Sequence, residues 1–197
     1  MKKNNIAFTF ATAEVNRLGQ LFIMITELLT GKLKLKKLYD EYLSENRPPE
    51  YFWDDAVLKL QLTIKTNYQE GSFIPKRGKL IVIANHAFGV ADGVSICSVL
   101  SKVRQDYKMV THKVLRQADA VKDKILPIDF NETKEALLTN INTRKEAEIV
   151  LENDGVLVLF PSGRIATKKN LKKYTKADDG EWKHWVSKLI LKTRCPV

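Results

Sequence analysis

Apolar residues recur at helical spacing near the beginning of the chain. In residues 14–29 the repeat consists of Val15, Leu18, Leu21, Phe22, Ile25, Leu28 and Leu29. This pattern predicts an amphipathic helix that stops at Gly31. Its longest uncharged run, residues 18–26, is far shorter than the roughly 20 apolar residues that a membrane-spanning helix needs. We therefore expect this helix to lie on a membrane or on the protein, and not to cross a bilayer.

A second helical pattern follows directly. Its apolar side carries Leu35, Leu38, Tyr39, Tyr42 and Leu43, and its first turns carry Lys32, Lys34, Lys36 and Lys37. Basic residues beside an apolar stripe are typical of helices that bind anionic headgroups. Packing of both helices on the rest of the protein is the alternative, and the two are compatible. We predict an N-terminal amphipathic, membrane-associating region over residues 1–47 and a globular domain over residues 48–197.

Two continuous apolar runs dominate the remaining chain, at residues 80–84 and 156–160. Such runs predict strands that are buried on both faces of a parallel sheet. Further strands are predicted at residues 62–68, 108–112 and 125–130, and helices at 53–60, 93–103 and 132–153, the last with Asn131 as its N-cap and Gly155 as its stop. Alternating strands and helices indicate an α/β fold with a largely parallel central sheet flanked by helices, preceded by the N-terminal helical hairpin.

Charge adds an expectation about partners. The chain has 197 residues and a formal net charge of +10, which favours an anionic partner such as a phospholipid surface, an acidic carrier protein or nucleic acid. Residues 164–194 hold ten Lys or Arg against three acids, although a solvated lysine-rich face explains this equally well. Cys97 and Cys195 lie far apart without a secretory signal pattern, so we expect no disulfide and a cytoplasmic location.

Candidate chemistry follows the two apolar strands, where sites form in open α/β sheets. His86 comes directly after the first strand, and Asp92 follows six positions later; a carboxylate on one imidazole nitrogen would orient a general base. On spacing alone a structural histidine is the simpler interpretation. Cys97 is interpreted as a buried apolar residue, and His112 and His184 as structural or surface residues. No spacing indicates a metal site.

The same segments resemble a known family. Three stretches resemble the phospholipid/glycerol acyltransferase superfamily, in the branch with hemolysin-like proteins and ornithine-lipid acyltransferases. They are residues 81–93, IVIANHAFGVADG, residues 159–164, LFPSGR, and the lead-in at residues 74–78. The resemblance covers roughly residues 70–197. Three motifs in this order are more specific than the His–Asp spacing.

The resemblance implies an acyltransferase domain with His86 as catalytic base and Asp92 as its partner. It implies that Ser162, Gly163 and Arg164 bind the acceptor's polar or phosphate group, and an acyl-carrier-protein or coenzyme A thioester as co-substrate, with no bound cofactor. The predicted substrate-binding residues also include Asn85, Gly89 and Lys113. The expected acceptor is a lysophospholipid resembling 1-acylglycerol-3-phosphate, or else an ornithine or other amino-acid lysolipid. The expected location is peripheral, on the inner face of the membrane.

Three departures from the family pattern concern the site. Five residues separate His86 from Asp92 where the common motif has four, which Gly89 would accommodate. Ser162 stands where the family has Glu, and Arg164 comes one position early. Phe130 stands where a family strand ends in Arg. Family members also continue into a further strand after the position of Val197, so we expect the sequence to be truncated.

Two other function classes remain as alternatives. Cations interleaved with aromatic residues suit nucleic acid; they are Lys168, Lys169, Lys172, Lys173, Tyr174, Trp182 and Trp185. No nucleic-acid fold pattern accompanies them, so this class is not favoured. A membrane scaffold without catalytic activity is the other alternative. The presence of both His86 and Asp92 argues against it.

Overall fold

The computed structural model describes residues 32–67, 74–168 and 176–197, with side chains from residue 35 onward. It has an α/β fold, as the sequence predicts. Labelled in chain order through the described residues, the elements are α1 Lys32–Ser44, α2 Phe52–Lys59, β1 Leu80–Ile83, α3 Val90–Ser101, β2 Tyr107–His112, β3 Ile125–Ile128, α4 Lys134–Glu152, β4 Val156–Leu159 and α5 His184–Thr193. Short 3₁₀ turns lie at Pro49–Tyr51, Lys113–Gln117 and Lys122–Lys124.

The four strands found in the described residues form one sheet in the order β1-β4-β2-β3, and every pairing is parallel. Ile83 of β1 aligns with Leu159 of β4, so the two predicted apolar runs are direct neighbours. Because all strands are parallel, their carboxyl ends meet at one edge of the sheet. The segments that follow β1 and β4, which contain the predicted chemistry, therefore face each other.

Helices cover both faces of the sheet, and the central strands alternate between the two cores. Val156 and Val158 of β4 contact one core with α1, α2 and α3, whereas Leu157 and Leu159 contact the other with α4 and α5. All four are at most 2% exposed. Burial of such side chains stabilises the fold by about 1.5–3 kcal/mol each, which explains why the strand is apolar at every position.

The long helix α4 begins later than predicted, and its cap is a different residue. Thr133, not Asn131, is the N-cap, and its hydroxyl oxygen accepts a hydrogen bond from the Ala136 N–H at 3.1 Å. Asn131 instead donates its backbone N–H to Asp129 Oδ1. A hydroxyl three residues before a free helical N–H gives the same stabilisation that was expected from asparagine.

The end of α4 matches the predicted stop at Gly155. The Gly155 N–H donates to Val150 O at 2.8 Å and the Asp154 N–H to Leu151 O at 3.2 Å, the two bonds of a Schellman motif. Asp154 takes the left-handed position with φ 58°. A Cβ on Gly155 would lie 2.8 Å from Val150 O, so the close backbone approach requires glycine.

The predicted strand at residues 62–68 is wrong for the residues that the structure describes. Residues 62–67 are irregular, and Tyr68 lies outside the described part. Gln61 has φ 54°, which turns the chain out of α2, and Leu62 packs against the α1–α3 core without pairing. The outer edge of β1 is not paired with residues 62–67 either, because there the Ile81 N–H donates to Pro196 O at 3.0 Å. The alternation thus reflects packing of single side chains and not a strand.

Helix α1 packs on the domain through its predicted apolar side. Tyr39 and Tyr42 are buried, and their rings contact Phe52 at the start of α2, at centroid distances of 6.3 and 5.2 Å. The first predicted helix, residues 14–29, lies outside the described residues. Among the helices that the structure describes, none is both long enough and apolar enough to cross a membrane.

Candidate active site

His86 and Asp92 meet at the carboxyl edge of the sheet, as the sequence predicts. His86 follows β1 by three residues, and Asp92 lies in the first turn of α3, which begins three residues earlier than expected. His86 Nδ1 lies 3.0 Å from Asp92 Oδ2, and the side chains are only 19% and 15% exposed. A carboxylate accepts hydrogen bonds, so it selects the tautomer with the proton on Nδ1. Nε2 then carries the lone pair that a general base needs.

Gly89 is the reason that the loop between His86 and Asp92 closes. It has φ 64° and ψ −120° at the N-cap of α3, a conformation that residues with a side chain rarely adopt. The Asp92 N–H donates to Gly89 O at 3.1 Å. A Cβ on Gly89 would also lie 3.0 Å from Ile165 Cδ1. The conformation of Gly89 thus turns the chain so that Asp92 returns to His86.

Other contacts hold the imidazole and its backbone in place. The ring stacks on Phe160, directly after β4, with centroids 4.2 Å apart. His86 O accepts the Ala166 N–H at 2.6 Å, and the His86 N–H donates to Asp179 Oδ2 at 3.2 Å. The loops after β1 and β4 are therefore bonded to each other. Asp179 is a site residue that sequence reasoning did not identify, and the only signal was an acidic pair in a basic stretch.

His86 is one of the residues that line an apolar cavity of about 330 Å³. The cavity lies between helices α1, α2 and α3 and strand β2, so it belongs to the face of the sheet that carries the N-terminal helices. Its lining includes Leu35, Leu38, Tyr39, Tyr42, Phe52, Trp53, Ala56, Leu60, Val90, Gly93, Val94, Met109, Thr111, His112, Val114, Leu115, Ala118, Val121, Ile125, Phe160 and Ile165. No sequence pattern indicates a cavity, because its wall combines residues of α1 with residues of α2, α3 and β2 that are distant in the chain.

Ser162, Gly163 and Arg164 form a tight turn beyond β4. The buried Ser162 hydroxyl donates to Arg164 O at 3.0 Å, and Gly163 has φ 67°. Arg164 Nε donates to Asp179 O at 2.9 Å, and its guanidinium lies so close to Gly180 that a Cβ there would come within 1.8 Å of a terminal nitrogen. The serine hydroxyl therefore shapes the turn, and the arginine lies against the 178–180 segment.

The Arg164 side of the site is polar and contains both signs of charge. A depression beside the turn is lined by Ser162, Arg164, Asp178, Gly180, Glu181 and Lys183. Asp179 connects this depression to His86, because its carboxylate accepts from His86 and its carbonyl from Arg164. His86 thus lines the apolar cavity and is connected through Asp179 to the segment that lines the polar depression.

Two other predicted substrate-binding residues lie apart from both spaces. Asn85 is exposed next to His86 and lines neither the cavity nor the depression. Lys113 follows β2, and its Nζ lies 2.5 Å from Asp129 Oδ2. Phe130 stacks on His112 with centroids 5.5 Å apart. The structure thus brings together His86, Asp92, Gly89 and the 162–164 turn, but not Lys113.

Cys97 has the buried position that was predicted for it. It is fully buried, its sulfur lies 3.9 Å from the Met109 sulfur, and burial raises the pKa of the thiol to about 12. A thiol with this pKa stays protonated near neutral pH and is a poor nucleophile. Cys97 and Cys195 are both free, as expected.

The cation and aromatic residues of the nucleic-acid alternative are only partly described. Lys169, Lys172, Lys173 and Tyr174 lie outside the described residues. Trp185 packs against the α4–α5 core with the Arg144 guanidinium 5.8 Å from its ring centre, so this tryptophan does not present a free face for a base.

Over residues 32–67, 74–168 and 176–197, no three His, Cys, Asp or Glu side chains are grouped so that they could hold a metal ion. A scan against protein-family models found no match, and neither a curated protein sequence nor a solved structure matches the chain.

Proposed function

We propose that this chain is an acyltransferase that moves a fatty acyl group from an acyl-carrier-protein or coenzyme A thioester to a lysophospholipid-type acceptor. His86 is the general base and Asp92 is its partner. The observation that carries the proposal is that His86, paired with Asp92, lines an apolar cavity. The resemblance of the two loop motifs to glycerolipid acyltransferases supports the same reaction.

The cavity is what distinguishes lipid chemistry from other reactions of a His–Asp pair. A volume of about 330 Å³ lies within the range of known ligand pockets. Each methylene that moves from water into such a cavity contributes about 0.8 kcal/mol of binding free energy. A saturated chain gains from this lining, whereas a polar substrate would lose hydrogen bonds to water in it.

The proposed reaction uses the free Nε2 of His86. Nε2 accepts the proton of the acceptor hydroxyl while the hydroxyl oxygen attacks the thioester carbonyl carbon. The new C–O bond forms and the C–S bond breaks, and the thiolate that leaves takes up the proton from the imidazolium. Asp92 stabilises the imidazolium that exists between the two steps. The ring of Phe160 covers one face of the imidazole and limits its contact with water.

The polar depression would hold the head of the acceptor. Arg164 and Lys183 supply positive charge for a phosphate or carboxylate, and the arginine fork suits such groups. Asp178, Asp179 and Glu181 lie on the same side, which favours a second candidate acceptor that also carries an ammonium group. An ornithine or other amino-acid lysolipid has this chemistry, and its acylation at nitrogen or oxygen is the alternative function.

Location and partners follow from the proposed substrates. Lysolipids reside in membranes, and a cytoplasmic carrier protein or coenzyme A delivers the donor to the inner membrane face. The net charge of +10 suits both an anionic membrane surface and an acidic carrier protein.

The test is acyl transfer from radiolabelled acyl-carrier-protein and coenzyme A thioesters to a panel of phosphate-containing and amino-acid lysolipids. His86→Ala should lower the rate by about 10²–10⁴-fold, the usual contribution of a general base. His184→Ala is the matched control, because His184 is exposed at the start of α5. Equal rates in the wild type and His86→Ala, or no transfer by folded wild type to any acceptor, would refute the proposal.

A further inference from the structure

Three exposed apolar side chains lie next to His86 and its cavity in the two segments that follow β1 and β4. Phe88 is 79% exposed, Val90 is 42% exposed and Ile165 is 48% exposed. Phe88 and Val90 flank Gly89, and Gly89 lies against Ile165. We call these three residues the apolar rim. An exposed phenylalanine beside two exposed aliphatic side chains is a feature of interaction sites on protein surfaces.

The apolar rim is continuous with the inside of the cavity. Val90 and Ile165 line the cavity together with His86, and they are also exposed to solvent. An acyl chain that enters between them meets a lining that is mostly apolar, with Lys59 and Thr111 among its few polar side chains. The rim is therefore suited to receive a chain from an apolar phase, and not from water.

Positive charge lies directly beside the rim in the sequence. Residues 168–176, which begin three positions after Ile165, contain five lysines and no acidic residue. Thr167 and Asp178 form an antiparallel bridge, so the two ends of this basic stretch are held together near the rim. Lysines attract anionic headgroups, and apolar side chains between them enter the boundary between headgroups and acyl chains.

We propose that the apolar rim inserts into the surface of an anionic lipid bilayer and places the cavity entrance at the level of the acyl chains. This inference deepens the proposed function, because it names the surface from which the same site receives its lipid. It adds a contact point on the globular domain to the contact expected from the N-terminal helices. Membrane docking is nevertheless measured without turnover, so the two proposals can fail separately.

The test is co-sedimentation of the full chain with vesicles of phosphatidylcholine and phosphatidylglycerol in equal amounts. Phe88→Glu should weaken vesicle binding by about tenfold or more. Leu191→Glu is the matched control: Leu191 is 78% exposed and lies near the end of α5. There, Lys79 Nζ, just before β1, donates to Thr193 O, so the control lies towards the opposite edge of the sheet. Both variants change the net charge equally.

A second pair of variants measures how deeply position 88 enters the bilayer. It does not require the fold to tolerate a glutamate at that position. With brominated lipid in the vesicles, fluorescence of Phe88→Trp should be quenched well beyond that of Leu191→Trp, since both share the same native tryptophans. Unchanged binding of a folded Phe88→Glu, equal losses in both Glu variants, or equal quenching in both Trp variants would overturn the inference. So would loss of a dimer in Phe88→Glu with no change in vesicle binding, because the rim would then cover a second copy of the chain.

The outcomes also separate this inference from the proposed function. Vesicle binding through Phe88 without any acyl transfer would support the membrane-docking inference and refute the proposed acyltransferase activity. Acyl transfer to dispersed lysolipid without vesicle binding by the wild type would do the reverse.

Discussion

His86 Nδ1 lies 3.0 Å from Asp92 Oδ2, and the same carboxylate oxygen accepts the Phe88 N–H at 2.8 Å. The carboxylate is therefore fixed by the loop that it spans, in addition to its bond with the imidazole. A carboxylate held in this way can orient the ring before substrate arrives, so its role can be tested separately from that of the base.

Asp92→Asn should lower kcat for acyl transfer by about 10²–10⁴-fold with little change in KM. The amide oxygen can still accept the Phe88 N–H, but the amide has no charge to stabilise the imidazolium. Steady-state kinetics with a saturating thioester measure both constants, and thermal unfolding checks the fold. A wild-type kcat in this variant would show that Asp92 has only a structural role.

The inner end of the cavity should limit the length of the acyl chain. Ile125 lies at the first position of β3 and aligns with Met109 of β2, further from the carboxyl edge than Thr111 and His112. Ile125→Trp fills part of this end. We expect the ratio of activities with long and short acyl donors to fall by at least about tenfold, because each methylene that loses its place forfeits about 0.8 kcal/mol.

That measurement has an internal control. The short donor reports any general damage, since overpacking costs about 1–3 kcal/mol of folding stability. An unchanged ratio of long to short donors would place the acyl chain outside this cavity.

Arg164 should contribute to binding of the acceptor head. Gly180→Ala introduces a Cβ that would lie 1.8 Å from the guanidinium, so the side chain of Arg164 must move. We expect a rise of about tenfold in the acceptor KM, the loss of one charge-assisted hydrogen bond, with a smaller change in kcat. Gly78→Ala is the control, since Gly78 has φ 84°, close to the 81° of Gly180, but no atom near its Cβ.

The control separates backbone strain from displacement of the arginine. Both substitutions place a side chain at positive φ, and both should destabilise the fold by roughly 1–2 kcal/mol. Equal KM values in the two variants would mean that Arg164 does not bind the acceptor.

The fold was predictable where one local rule dominated. The runs at residues 80–84 and 156–160 are apolar at every position because each strand touches a core on both faces, and their pattern therefore identified them. The prediction of the α4 N-cap failed because the sequence offers two suitable residues. Asn131 and Thr133 are both good N-caps, and only the packing of α4 selects Thr133. The alternation at residues 62–67 had no strand partner, which the sequence does not reveal.

The candidate site was predictable only in part, for a related reason. His86 and Asp92 are close in sequence, and the turn at Gly89 joins them. Asp179 reaches His86 over a separation of 93 residues, and the cavity wall combines residues of α1 with residues of α2 and α3. Both depend on tertiary contacts, and neither leaves a pattern of its own in the sequence.

His112 gives a prediction for the dependence of stability on pH. Its Nδ1 accepts the Val114 N–H at 3.1 Å, a bond that requires the neutral ring. Burial lowers the pKa of His112 below its ordinary value near 6.5; Asp129 opposes this shift and Lys113 adds to it. The unfolded chain therefore binds more protons than the folded chain between the lowered pKa and 6.5.

Consequently the contribution of His112 to stability is complete above pH 6.5 and is lost as the pH falls through the folded-state pKa, with a slope of at most about 1.4 kcal/mol per pH unit. His112→Asn should flatten this part of the curve, because the amide oxygen can accept the Val114 N–H and does not titrate. Urea unfolding of both proteins from pH 8 to about pH 5 measures the difference. Parallel curves would mean that His112 titrates alike in the folded and unfolded chains, and that its burial does not govern its protonation.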